Sequence, residues 1–184
     1  PGYAAAAPAL ASGILLAWAV MFVRVIVEVL VVNRALLGQL LVPFAAMAVT
    51  AAAAAWYLGR RARTDGRSAG VVPLTNPFSL TAAAKFAAFF AAVLLVVKLV
   101  QTYAPGHGVY FVAALAGTTD VDAITLSMAQ YARNGSLAIA VQSITIAALT
   151  NTLVKTVMVA ALGSPQLRRP VLVAAAMVLA AGGG

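Results

Sequence analysis

The chain has 184 residues, 64% of them hydrophobic and only 9% charged, with a mean hydropathy of +1.01. A soluble domain carries about 25% charged residues, so this composition cannot cover a water-facing surface, and lipid is the expected solvent for most of the exterior. Cysteine is absent and histidine occurs once, which excludes disulfides, thiolate chemistry and a histidine-rich metal site. The net charge of +8 comes mostly from arginines between apolar runs, where a membrane protein fixes its orientation. No aromatic-interleaved basic patch is present, and nucleic acid is not an expected partner. The chain opens on Pro1 and closes on "AAGGG", which reads as a processed or truncated piece with no separate signal peptide.

A bilayer core of about 30 Å needs about 20 helical residues. Five segments reach that length: Leu10–Val32, Leu40–Leu58, Phe78–Val100, Val109–Tyr131 and Leu137–Leu162. A sixth, Val171–Ala181, is too short to span alone. Strand-like alternation is absent, so the expected fold is all-α: a polytopic transmembrane bundle of five to six helices, one of them broken, in a single domain over 1–184. The abundant alanines allow close helix approach and favour a homo-oligomer, with a dimer as the simplest form.

The loop "GRRARTDGRSAG" after the second segment carries Arg60, Arg61, Arg63 and Arg67 against Asp65, and is expected in the cytoplasm. The uncharged "QTYAPGHG", with His107, then falls outside, and "ARNG" with Arg133 returns to the cytoplasm. Strict alternation leaves Arg168 and Arg169 of "GSPQLRRP" outside. Either the charge rule is overridden there, or the fourth segment is re-entrant.

An internal echo aligns the first segment with the fifth, placing Arg24 on Lys155 and Ser12 on Ser143; "QLLVP" likewise echoes "QLRRP". Repeat halves 8–58 and 139–184 would then flank 76–133, and repeat interfaces commonly hold transporter sites.

Seven ionisable residues lie inside the apolar segments: Arg24, Glu28, Lys85, Lys98, Asp120, Asp122 and Lys155. Each costs at least about 2.5–3.5 kcal/mol at the bilayer centre unless it faces the bundle interior, a cavity or a partner. Arg24 and Glu28 are one turn apart and can pair. Lys98 can snorkel to the interface, and Lys85 can either do the same or point inward. Asn151 and Lys155 share a face of the fifth segment.

Two of the four acidic residues fall in "GTTDVDAITLSMAQ" (117–130), where a glycine and three capping residues predict a half-helix, an unwound link and a second helix from near Asp120. Irregular backbone at membrane depth is tolerated only in a protein interior or cavity. The carboxylates of Asp120 and Asp122, with neutral oxygens from Thr119, Thr125 and Asn151, form a candidate site for a proton or a hard cation such as Mg²⁺. Lys155, Arg24, Glu28 and Lys85 are candidates for balancing or gating it. The plainer alternative makes Asp120 a helix cap and Asp122 a counter-ion to Lys155.

The stretches "GILLAWAVMFVRV", "NPFSLTAAAKFAAFFAAVLLVVKLVQ", "GVYFVAALAGTTDVDAITLSMA" and "ALTNTLVK" resemble the C-terminal domain of unknown function of MgtC/SapB-type membrane proteins. The resemblance implies an all-helical, multi-pass domain of the prokaryotic inner membrane, loosely associated with magnesium homeostasis. The first functional expectation is therefore cation or proton-coupled transport through the intramembrane Asp/Asn/Lys site, with an inorganic cation and the lipid bilayer as partners. The second is a non-transporting scaffold or regulatory subunit whose buried charges pair structurally. No catalytic grouping points to an enzyme.

Overall fold

A computed structural model describes residues 2–64 and 108–183. Regular structure among them is entirely helical. Helix α1 covers Gly2–Val32, α2 Leu37–Thr64, α3 Gly108–Gly117, α4 Val121–Tyr131, α5 Leu137–Leu162 and α6 Pro165–Gly183; a 3-10 turn, Arg34–Leu36, joins α1 to α2. Among the described residues, three stretches are long and apolar enough to cross a membrane: Ala7–Val32, Arg34–Thr64 and Leu137–Leu162. The expected segment 78–100, with Lys85 and Lys98, lies outside the described residues, as do Asp65, Arg67 and His107.

Several boundaries differ from those read in the sequence: α1 begins at Gly2 and not near Leu10, and α2 at Leu37 and not Leu40. Helix α2 continues past Leu58 to Thr64, so Arg60, Arg61 and Arg63 sit on a helix and not in a loop. Cations suit the last turn, where unpaired carbonyls leave partial negative charge. The Thr64 hydroxyl bonds back to the Arg61 carbonyl at 3.1 Å, and the Arg60 guanidinium lies 4.2 Å from the Trp56 ring centroid. Helix α6 starts at Pro165 and not near Val171, because proline is well placed at the first helical position.

Phe22 of α1 meets Phe44 of α2 edge-to-face, with ring centroids 6.3 Å apart. Leu15, Val25 and Val29 extend this core along α1, Leu40 and Met47 along α2, and Val171 and Val178 along α6. The Ser12 hydroxyl donates to the Ala55 carbonyl at 2.8 Å, which pins the start of α1 beside the end of α2.

The fourth segment is two short helices, α3 and α4, folded back on each other. At ten and eleven residues, each is about 15–17 Å long, half of what a bilayer core requires. The Tyr110 hydroxyl, near the start of α3, donates to the Gln142 side chain near the start of α5. At the end of α3, the Gly117 carbonyl is reached by Asn151, further along α5. Helix α3 therefore runs parallel to α5, and α4 returns beside it to a five-residue turn that leads into α5. Val112 and Ala113 of α3, Ile124 of α4 and Ala147 of α5 close the small core between them. The pair is a helical hairpin whose break lies within about 3 Å of the midpoint of α5 along its axis, at 1.5 Å per residue.

The hairpin changes which loops share an end of the bundle. Arg133, after α4, donates to the Val32 carbonyl at 2.7 Å, and Asn33 donates to the Ala129 carbonyl at 3.1 Å. That end therefore holds the end of α1 and the start of α5. Arg61 of α2 and Arg169 of α6 line one groove at the opposite end. The two arginine clusters that strict alternation separates thus lie together, and Arg133 lies away from them. Because the chain contains no cysteine, single cysteines can test this directly. Cysteines at Gly108 and Ser136 are expected to react with an impermeant maleimide from one side of sealed vesicles, and those at Thr64 and Gln166 from the other. Labelling of Gly108 and Ser136 from opposite sides would contradict a hairpin.

Candidate functional site

The break is built from capping chemistry. The Thr118 and Thr119 hydroxyls donate back to the Leu115 and Ala116 carbonyls at 2.6 and 2.9 Å, and Asp120 N–H donates to the Ala116 carbonyl at 2.9 Å. Asp120 has extended backbone at φ −147° and ψ 127°, and its carboxylate accepts from Asp122 N–H at 3.0 Å, making it the N-cap of α4. Asp122 falls in the first turn, where the helix dipole favours an anion. The Gly117 carbonyl, released by the break, accepts from the Asn151 side-chain amide at 2.8 Å. Asn151 is 3% exposed, so this hydrogen bond satisfies a carbonyl that water would reach poorly.

Gly117 is required by space. A Cβ there would strike the Ala147 carbonyl oxygen and stand 2.7 Å from the Ala147 Cα, so the tip of the hairpin rests directly on the α5 backbone. Gly117→Ala is expected to cost about 1–3 kcal/mol, as overpacking does, because the neighbour is backbone and cannot rotate away. Reversible unfolding in mixed micelles measures the change; an unaltered midpoint would contradict the close approach.

Charge enters the site from α1. An Arg24 guanidinium nitrogen lies 2.5 Å from Asp122 Oδ2, and Arg24 Nε lies 3.9 Å from Glu28 Oε1. Arg24 sits about 7 Å along the axis from the midpoint of Ala7–Val32, well inside a spanning segment. Asp122 thus pairs with Arg24, and Lys155 Nζ approaches the Met21 sulfur at 3.4 Å. Among the described residues, no carboxylate lies within 4.0 Å of Lys155. The expected Arg24–Glu28 contact is the longer of the two that Arg24 makes.

Among the described residues, several buried oxygens have no hydrogen-bond partner: Asp122 Oδ1, Glu28 Oε2, Thr125 Oγ1, Asn151 Oδ1 and Ser143 Oγ. Thr125 and Ser143 are fully buried. By contrast, Thr152 and Thr156 donate to the Ala148 and Thr152 carbonyls, the ordinary arrangement for hydroxyls inside an apolar helix. Asp120 is exposed, so of the two carboxylates only Asp122 turns inward. Among the described residues, no group of three or more His, Cys, Asp or Glu side chains is placed to hold a metal ion. A cation here would draw most of its ligands from neutral oxygens.

Sequence reasoning assigned Asn151 as a ligand but did not find the Gly117 carbonyl as its partner. The signal available was a glycine ahead of "TTD" and a small-residue face, Ala147–Ala148, on α5. The Met21 sulfur beside Lys155 is likewise not legible in the sequence, since methionine marks no such role.

The fold and site define an all-helical protein with membrane-spanning character, in which a broken helical hairpin brings carboxylate, amide and hydroxyl groups to the middle of the bundle. The chain belongs to the family described as "Domain of unknown function (DUF4010)", whose model matches residues 3–163. It is similar to a protein described as "Uncharacterized protein" from Aquifex aeolicus (strain VF5), at 29% identity over 160 residues, covering 84% of this chain and 68% of that protein. No solved structure matches. Nothing in these matches connects the chain specifically to MgtC/SapB-type proteins.

Proposed function

We propose that the protein is a non-enzymatic, multi-pass membrane protein that moves a cation, or couples to a proton, through the site at the α3–α4 break. The observation that carries this reading is the set of buried, unpartnered oxygens on Asp122, Thr125 and Asn151 beside a helix break. Discontinuous helices near the bilayer midplane are a recurring transporter device, since they free backbone groups where a substrate can use them. Unsatisfied buried oxygens otherwise cost about 1–3 kcal/mol each, so an ion or proton that uses them gains what the empty site forfeits. The inward Asp122 carboxylate, with oxygens of Thr125 and Asn151, suits a hard cation such as Mg²⁺ as the transported species, with Thr119 and the exposed Asp120 at the adjoining cap. Arg24 occupies the Asp122 carboxylate in its absence, Glu28 offers a second acceptor, and Lys155, with Lys85 from outside the described residues, supplies balancing charge.

The antiparallel relation of α1–α2 to α5–α6 supports the repeat reading, with Arg24 and Lys155 as matching cations on inverted halves. The membrane-length helices support a membrane location, which the family resemblance makes the prokaryotic plasma membrane, with the arginine-rich end in the cytoplasm. The alanine-rich helices support a homodimer, and the resemblance to MgtC/SapB-type proteins supports an ion-related role without fixing the ion.

Reconstituted liposomes carrying an ion- or pH-sensitive dye test the proposal. Wild-type protein is expected to admit Mg²⁺ or protons, and Asp122→Asn together with Asp120→Asn to abolish the signal. Equal flux in both would sink the reading. A scaffold or regulatory role is the second reading, favoured by the closed Arg24–Asp122 pair. It predicts no flux in any protein, and assembly that is lost in R24D and restored in R24D/D122R.

A further inference from the structure

A second feature lies at the opposite end of the bundle from the mouth of the hairpin. Between α2 and α6 runs an open groove of about 660 Å³, inside the roughly 300–1,000 Å³ range of small-molecule sites. Its floor is apolar, with Ala53 of α2 and Val173 and Met177 of α6 among the lining residues. Its lining runs along α2 from Val49 to Arg61, about 18 Å at the helical rise. The two arginines that line it, Arg61 and Arg169, are both exposed, and Tyr57 lines it one turn before Arg61.

This layout has a polarity. One end is lined by hydrocarbon over the depth of an acyl chain, and the other presents two guanidinium groups at the level of the helix ends. Tyrosine one turn below is the side chain that favours the headgroup boundary. Arginine pairs bind phosphate oxygens through paired N–H donors and keep their charge at the membrane surface. Among the described residues, neither arginine has a carboxylate within 4.0 Å.

We propose that the α2–α6 groove binds one anionic phospholipid of the leaflet facing the arginine-rich end, its phosphate on Arg61 and Arg169 and an acyl chain along Ala53, Val173 and Met177. The inference rests on the membrane placement above but not on transport, so a protein that moves no ion can still hold this lipid.

Native mass spectrometry of protein released from nanodiscs of equal phosphatidylglycerol and phosphatidylcholine tests it. Wild-type protein is expected to retain one phosphatidylglycerol in clear preference to phosphatidylcholine. R61Q/R169Q is expected to reduce that preference by about 30-fold, the effect of two cations near an anionic surface, and R61K/R169K to keep most of it. Ala53→Trp, which fills the groove and leaves both arginines in place, is expected to remove retention of either lipid. Equal retention of the two lipids by wild-type protein would overturn the proposal. So would a preference unchanged in R61Q/R169Q, or one that survives Ala53→Trp, since the groove would then be filled by another part of the chain or by a second copy.

Discussion

Arg24→Gln is expected to destabilise the protein by about 1–3 kcal/mol, and to do so more than the double substitution Arg24→Gln/Asp122→Asn. The guanidinium lies 2.5 Å from Asp122 Oδ2 and 3.9 Å from Glu28 Oε1, while the second oxygen of each carboxylate is buried without a partner. Removing the cation leaves two anions facing each other in a low-dielectric setting with no counter-charge from α1. Arg24 itself is 54% exposed at its side chain, so the penalty falls below the 3–5 kcal/mol of a fully buried pair. Neutralising Asp122 as well removes one of the stranded charges and returns part of the loss. A double-mutant cycle in reversible micellar unfolding measures this directly. Additive losses would mean that the two side chains act independently, contrary to the geometry. Arg24→Lys is a useful third point. It keeps the charge but loses the planar fork, and should fall between wild type and the glutamine variant.

Asn151→Leu is expected to destabilise the break and loosen the hairpin. Its amide donates to the Gly117 carbonyl at 2.8 Å, and the site is almost fully enclosed. Leucine keeps the branched outline but is bulkier and donates nothing, so the carbonyl is left buried and unsatisfied at a cost of about 1–3 kcal/mol, with overpacking added. The same change removes Asn151 Oδ1 from the oxygen cluster. Asn151→Asp provides the contrast: it preserves the oxygen but replaces the donor with an acceptor facing a carbonyl. Both variants should lose stability by the unfolding assay, and both should loosen the hairpin. Faster hydrogen exchange at Thr118–Asp122 is the readout for that loosening. If exchange there is unchanged in Asn151→Leu, the amide does not hold the break.

The sequence by itself determined a good deal. Composition required lipid-facing helices, because 9% charged residues cannot solvate a surface. Apolar length placed α1, α2 and α5, and "GTTD" located the break and its cap to within a residue of Asp120, since capping is a local property of backbone and side chain. Tertiary structure decided the rest. Whether Val109–Tyr131 crosses or turns back depends on the angle at 118–120, which no residue type there fixes; packing of Gly117 on Ala147 and the Tyr110–Gln142 contact fix it instead. That turn in direction gathers the arginines of α2 and α6 at one end, which counting spans alone could not show. The partner of Asp122 was equally out of reach. Arg24 and Lys155 are both cations one helix away, and only the packing of α4 against α1 gives the carboxylate to Arg24 and leaves Lys155 beside Met21.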